Sequence, residues 1–138
     1  TGGALIKAKD LIGRDTFLIL SGDLWTDYPF SRLINYDSKK KAHLILLKKS
    51  KEKEADMNLK NDYIFVDKNS KELTYSGIGL INPKIYEGIK VDKLKLWKDL
   101  LLPLVSKQEI SGEVYNGLAL NINLKKDLEE LDVVISEG

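Results

Sequence analysis

The chain has 138 residues, 43% of them apolar and 31% charged, which is the size and composition expected of one soluble globular domain spanning residues 1–138. Its 22 Lys and Arg against 21 Asp and Glu leave a formal charge of +1, which provides no broad field to recruit nucleic acid or an anionic membrane. Zero Cys and a single His exclude disulfides, thiolate metal centres and multi-histidine sites, so any metal chemistry has to use oxygen ligands.

No run approaches the roughly 20 apolar residues of a membrane helix, and Thr1-Gly2-Gly3 has neither the basic flank nor the apolar body of a signal peptide. A cytoplasmic protein without membrane partners is the expectation. There is no initiator Met and the Gly pair leads straight into a helical pattern, so the chain reads as one that begins within a longer protein.

Apolar residues at Ala4, Leu5, Ala8, Leu11 and Ile12 have helical spacing, and Gly13 is placed to stop that helix. Phe17-Leu18-Ile19-Leu20 is a continuous apolar run, as in a strand covered on both faces, and it ends at Ser21-Gly22-Asp23. Pro29 to Tyr36 suits a short helix with Pro in its first turn, and Ala42 to Leu47 a second buried strand. Lys48 to Lys60 is almost wholly polar and reads as an exposed loop. Tyr63 to Val66 predicts a strand, and Glu72 to Ile81 a strand or hairpin arm interrupted by Gly77 and Gly79 and ended by Pro83. Leu94 to Val105 predicts a helix, Glu113 to Ile122 a late strand, and Leu124 to Leu131 a closing amphipathic helix. Strands alternating with helices point to an α/β, Rossmann-like fold with a mostly parallel sheet and flanking helices, in which ligands sit at the carboxyl ends of the strands.

That rule singles out Asp23, which follows a buried strand and a Gly. Its carboxylate suits Mg²⁺, which takes one or two carboxylates plus phosphate oxygens, and it equally suits the cap of a turn. Gly2 and Gly3 before a helix either present bare N–H groups to an anion or shape a loop. Gly77 and Gly79 mark either a bulge or close approach by a ligand. His43 reads as a satisfied core or edge residue, and Trp25, Tyr28 and Trp97 as core or lid aromatics.

Taken together, several segments resemble the sugar-1-phosphate nucleotidyltransferase family. Thr1-Gly2-Gly3-Ala4 resembles its Thr-Gly-Gly-Gly element, and Phe17 to Tyr28 is similar to its strand-Gly-Asp-x-Trp-Thr-Asp-Tyr signature. Lys60-Asn61-Asp62-Tyr63 resembles Lys-Gly-Asp-Phe, and Tyr75-Ser76-Gly77-Ile78-Gly79 resembles Phe-Ser-Gly-Ile-Gly. Leu102-Pro103-Leu104 and Gly112 to Gly117 keep the family's order.

The resemblance implies transfer of a nucleotidyl group from UTP or GTP to a sugar 1-phosphate, with Mg²⁺ as cofactor and Asp23 as catalytic metal ligand. It also implies substrate contacts at Thr1, Gly2, Gly3, Gly22, Asp23, Gly77 and Asn121. It covers the carboxyl-terminal portion of the family's domain: the Gly-rich, Arg-containing nucleotide loop and its Lys-Pro element have no counterpart in these residues, so the fragment alone is expected to be inactive. The family's Trp-x-Asp-Ile/Val-Gly-Thr motif reads Ala119-Leu120-Asn121-Ile122-Asn123-Leu124 here, with Asn121 in the place of a metal-binding Asp. That replacement opens an alternative, a catalytically dead relative that binds a nucleotide sugar or a partner protein. A sheet without its first strands is also expected to expose an edge that invites pairing with another chain.

Overall fold

The computed structural model describes residues 2–37, 39–50, 54–90 and 93–138. Its centre is built from the two longest apolar strands, β3 (Ala42–Lys48) and β6 (Leu73–Ile81), which pair antiparallel and are buried almost throughout. Side chains alternate across a strand, and the alternation sorts the core into two layers. Leu44 and Leu46 pack on one face with Ile6, Ile81, Leu100, Leu101 and Ile110. Ile45 packs on the other with Tyr28, Leu33, Ile78 and Leu80. Each fully buried aliphatic side chain contributes roughly 1.5–3 kcal/mol of burial, which makes this pair the anchor of the fold.

Around that pair the sheet runs in the order β1-β6-β3-β7-β5-β4, with β1 at Phe17–Leu20, β4 at Asn58–Lys60, β5 at Tyr63–Phe65 and β7 at Ile110–Val114. Strands β1, β3, β4 and β7 point one way, whereas β6 enters antiparallel between β1 and β3 and β5 antiparallel beside β7. Only β3 and β7 are parallel neighbours among the described residues. The α/β architecture with flanking helices matches expectation; the sheet is mixed because β6 returns between two strands that a simple β-α-β alternation would have placed side by side.

Several local expectations are corrected. The run at β1 is apolar on both faces, yet Leu18 and Leu20 are 40% and 52% exposed, because β1 lies at the sheet edge and one of its faces is uncovered. The polar stretch from Lys48 contains a buried Met57, bridged to Leu73, and then β4; residues 51–53 of that stretch lie outside the described residues. The late strand is two strands, β7 and β8 (Ala119–Asn121), which belong to different sheets. The helix expected from Ala4 to Ile12 is split at Ala8 into α1 (Gly2–Lys7) and α2 (Lys9–Ile12). The helix near Trp97 begins as a π-helical turn, Leu96–Leu101, and continues as α4 (Leu102–Val105), with Pro103, which has no N–H to donate, standing where the π spacing gives way to α. The last helix, α5, runs Lys125–Glu137. A short helix, α3 (Ser31–Ile34), follows Pro29 as read from the sequence.

Candidate active site

At Leu20 the ladder between β1 and β6 reaches Ile78, and one step further the Ser21 N–H donates to the Gly77 carbonyl at 2.9 Å. Gly77 holds φ at +95°, a backbone conformation that a side chain disfavours, and a Cβ built there would stand 2.6 Å from Ser21 Oγ. The β3–β6 register also shifts here, between Leu44 and Leu46, which is the bulge that the glycines announced. Gly77 therefore lets the end of β1 close onto β6, and the space that its missing side chain leaves is filled by Ser21. Gly22 is different: nothing lies within 4 Å of the Cβ it lacks, so the backbone beside Asp23 is open.

Beyond this turn the chain forms β2 (Leu24–Thr26), which pairs antiparallel with β8 in a separate two-stranded ribbon. Leu24 stands opposite Asn121, and the Ile122 N–H donates to the Asp23 carbonyl at 2.7 Å. Two sequence-predicted residues 98 positions apart are thus placed one register step from each other. Asp23 is exposed, and the Asn121 Oδ1 is buried without a hydrogen-bond partner.

The ribbon is fastened by side chains that sequence reasoning left out of the site. Asp27 Oδ1 accepts from Tyr115 Oη at 2.5 Å and from the Leu118 N–H at 2.8 Å, and Thr26 Oγ1 donates to the Leu118 carbonyl at 2.6 Å. The hydrogen bond from Tyr115 holds the Asp27 carboxyl below its ordinary range and the Tyr115 phenol above its own. Tyr28, buried between Phe30 and Tyr115 in edge-to-face contacts of 5.5 and 5.0 Å, donates its hydroxyl to Glu113 on β7. Burial, with Glu113 beside it, raises the Tyr28 phenol well above its ordinary range. The signal in the sequence was Thr-Asp-Tyr directly after Trp25, but its partners lie about 90 residues away and no local pattern names them.

Two clefts flank this end of the sheet. One, about 510 Å³, lies between α1 and the end of β1 and is lined by Ala4, Leu5, Ile19, Leu20, Ser21, Gly22, Tyr75 and Leu96. The other, about 580 Å³, is bounded by the 115–120 segment, the end of β3, Ser50 and Thr74. Gly2 and Gly3 stand behind the first cleft. Both are buried; a Cβ on Gly2 would meet Leu94 and Leu100 at 3.1 Å, and the Gly3 N–H donates to the Leu94 carbonyl at 3.1 Å, so it is already committed within the fold. Thr1 lies outside the described residues. His43, 2% exposed, pairs Nδ1 with Ser111 Oγ at 2.9 Å and is stacked by Tyr36, and desolvation lowers its pKa against the opposing pull of Glu113 and Asp62.

As a metal site, this edge offers a carboxylate from Asp23 and an unsatisfied carbonyl oxygen from Asn121, both hard donors. Among the described residues there is no group of three or more His, Cys, Asp or Glu able to hold an ion. Oxygen donors of this kind suit Mg²⁺; the Asp23 carboxylate is open to solvent and the Asn121 Oδ1 is enclosed in the ribbon, so an ion at Asp23 would depend on water and ligand phosphates for most of its shell.

Comparison with known proteins bears on the fold. No family model matches the chain. The sequence is 26% identical over 137 residues to N-acetylmuramate alpha-1-phosphate uridylyltransferase of Neisseria meningitidis serogroup B, a match over 94% of this chain and 59% of that protein. It is 25% identical over 141 residues to the mannose-1-phosphate guanylyltransferase catalytic subunit beta of Drosophila pseudoobscura pseudoobscura, over 92% of this chain and 37% of that protein. The inositol-1-phosphate CTP transferase of T. maritima superposes with a TM-score of 0.74 at 15% identity, over 100% of this chain and 63% of that one. The chain resembles sugar-phosphate nucleotidyltransferases in sequence and fold, and it spans three fifths or less of the length of the curated relatives it matches.

Proposed function

We propose that these residues form the metal- and sugar-binding edge of an enzyme that transfers a nucleotidyl group to a sugar 1-phosphate. The observation that carries the reading is the convergence of Ser21-Gly22-Asp23 and Asn121 at the carboxyl end of β1, where the Asn121 Oδ1 is buried and unsatisfied. In the reaction a phosphate oxygen of the sugar 1-phosphate attacks the α-phosphorus of an NTP, and the bond to the leaving pyrophosphate breaks. Mg²⁺ would neutralise phosphate charge during that displacement. Asp23 would hold the ion through its carboxylate and Asn121 through its neutral oxygen, while the open backbone at Gly22 admits the ligand. Gly77, Gly2 and Gly3 take supporting places: Gly77 sets the turn that presents Asp23, and Gly2 and Gly3 seat α1 at the rim of the cleft.

The nucleotide is UTP or GTP, in line with the activities named for the two curated relatives. The triphosphate-binding loop that the resemblance calls for is not among these residues, so this chain by itself is expected to release no pyrophosphate from either nucleotide. A cytoplasmic setting and pairing of the free β1 edge with a second copy belong to the same proposal; among the described residues no helix is long and apolar enough to cross a membrane.

The test is Mg²⁺-dependent binding of UDP-N-acetylmuramate and GDP-mannose, measured by titration calorimetry. Asp23→Asn is expected to abolish the Mg²⁺ dependence, because only neutral oxygens are then left at the two positions. Asn121→Asp is expected to lower the Mg²⁺ concentration needed. A silent Asp23→Asn makes Asp23 a turn residue and overturns the metal assignment. Asn121 itself favours a second reading, a nucleotide-sugar binder without turnover; tight binding that never becomes Mg²⁺-dependent, even in Asn121→Asp, would select it.

A further inference from the structure

The cleft beside Ser21 and Gly22 is walled by Ala4, Leu5, Ile19, Leu20 and Leu96, and among the residues lining it only Ser21 and Tyr75 carry a polar side chain. Ser21 turns its Oγ toward Gly77. Tyr75 is half-buried on β6, opposite Leu46, and packs against the larger core layer. Its ring has room because Gly79 has no side chain: a Cβ there would stand 3.3 Å from the Tyr75 hydroxyl and 3.0 Å from Leu44 Cδ2. The hydroxyl makes no hydrogen bond to any described residue. Burial raises this phenol well above its ordinary range, so at neutral pH it is an uncharged group with both donor and acceptor capacity free. The motif that Tyr75 opens resembles Phe-Ser-Gly-Ile-Gly, so the hydroxyl is what this sequence adds to an otherwise apolar floor.

Among the described residues nothing in the fold partners this hydroxyl, so a ligand that covers it in the cleft has to satisfy it in place of water. We infer that Tyr75 is a specificity-determining residue whose hydroxyl hydrogen-bonds a ring hydroxyl of the sugar 1-phosphate in this cleft. A site that sets a hydroxyl against its ligand discriminates against the analogue that lacks the matching group, because binding that analogue leaves the hydroxyl desolvated and unpaired. This inference rests on the sugar-phosphate reading above and adds the atom that would read the sugar.

The test pairs one substitution with one deletion in the ligand. Mannose 1-phosphate and its monodeoxy analogues are titrated in Mg²⁺ against the unaltered chain and Tyr75→Phe, following the ligand by NMR. Tyr75→Phe is expected to bind mannose 1-phosphate about tenfold more weakly, the effect of one lost hydrogen bond of ordinary strength. One deoxy analogue is expected to lose a similar factor with the unaltered chain and to bind both proteins equally, which identifies the hydroxyl that Tyr75 contacts. Equal binding of mannose 1-phosphate by both proteins overturns the role of Tyr75 and leaves the sugar-phosphate reading intact. No binding of mannose 1-phosphate or of N-acetylmuramate 1-phosphate by the unaltered chain overturns both. The thermal midpoint of Tyr75→Phe is a control that separates the two roles: an unchanged or higher midpoint with weakened binding is the signature of ligand recognition, and a lowered midpoint with unchanged affinity is that of packing alone.

Discussion

The two sheets of this molecule are held by different physics. At the centre of the large sheet, β3 and β6 are fixed by apolar burial on both faces, and Leu44, Ile45 and Leu46 have no contact with water. The β2·β8 ribbon has half-buried strands and only three residue pairs, and it is pinned to β7 and the 115–118 segment by Asp27, Thr26, Tyr28 and Tyr115. Burial is strong and tolerant of small displacements, whereas hydrogen bonds are directional. The ribbon carries Asp23 and Asn121, so the candidate chemistry sits on the part whose geometry is set by direction rather than by bulk. Damage to the core should therefore unfold the chain, and damage to the ribbon should misplace the site in a chain that stays folded.

The largest effect expected is in the core. Leu44→Ala removes a fully buried side chain packed under Gly79 and should cost about 2–5 kcal/mol, read as a lower denaturation midpoint in chemical unfolding. A loss below 1 kcal/mol would place the anchor of the fold elsewhere.

Gly77→Ala tests the junction between the regions. It forces a side chain into a left-handed conformation and against Ser21, and about 1–3 kcal/mol of destabilisation is expected. Because Ser21 leads directly to Asp23, weaker Mg²⁺-dependent binding should accompany it. Unchanged stability would show that the end of β1 is not seated on Gly77.

The ribbon is probed by Asp27→Ala, which removes the acceptor for Tyr115 Oη and the Leu118 N–H. Hydrogen exchange should accelerate several-fold at Leu118 and at Ile122, whose N–H is bonded to Asp23, with little change at Leu44 or Ile45. Exchange that quickens equally throughout would dissolve the distinction between the two sheets.

The smallest effect concerns pH. His43 is buried on β3 with its pKa lowered, chiefly by desolvation, so the unfolded chain binds the proton more readily than the folded one. Folded stability is then complete above the ordinary value of 6.5 and declines as the pH falls below it toward the folded pKa. Thermal midpoints at pH 7.5 and 5.5 should differ in that sense, and His43→Asn should remove the part of the difference that His43 causes. A midpoint that rises on acidification would reverse the assignment.

Much of this was legible in the sequence because it is local. The apolar runs at 17–20 and 42–47 mark strands by composition, Pro29 and Pro83 mark starts and stops through their missing N–H, and the paired glycines at 77 and 79 announce a bulge. The motif around Gly22-Asp23 is equally local, since a strand end followed by Gly and Asp is a short-range pattern. What the tertiary structure alone decided is everything that depends on a distant neighbour. An apolar strand has the same composition at an edge as at a centre, so only the placement of β6 shows that Leu18 and Leu20 lie uncovered. The stretch from Glu113 to Ile122 reads as one strand until its two halves find different partners, β3 and β2, across the molecule. Asp27 and Tyr115, and the Tyr75 hydroxyl over Gly79, acquire meaning in the same way: a periodic pattern fixes which face a residue occupies, and folding alone fixes what stands opposite it.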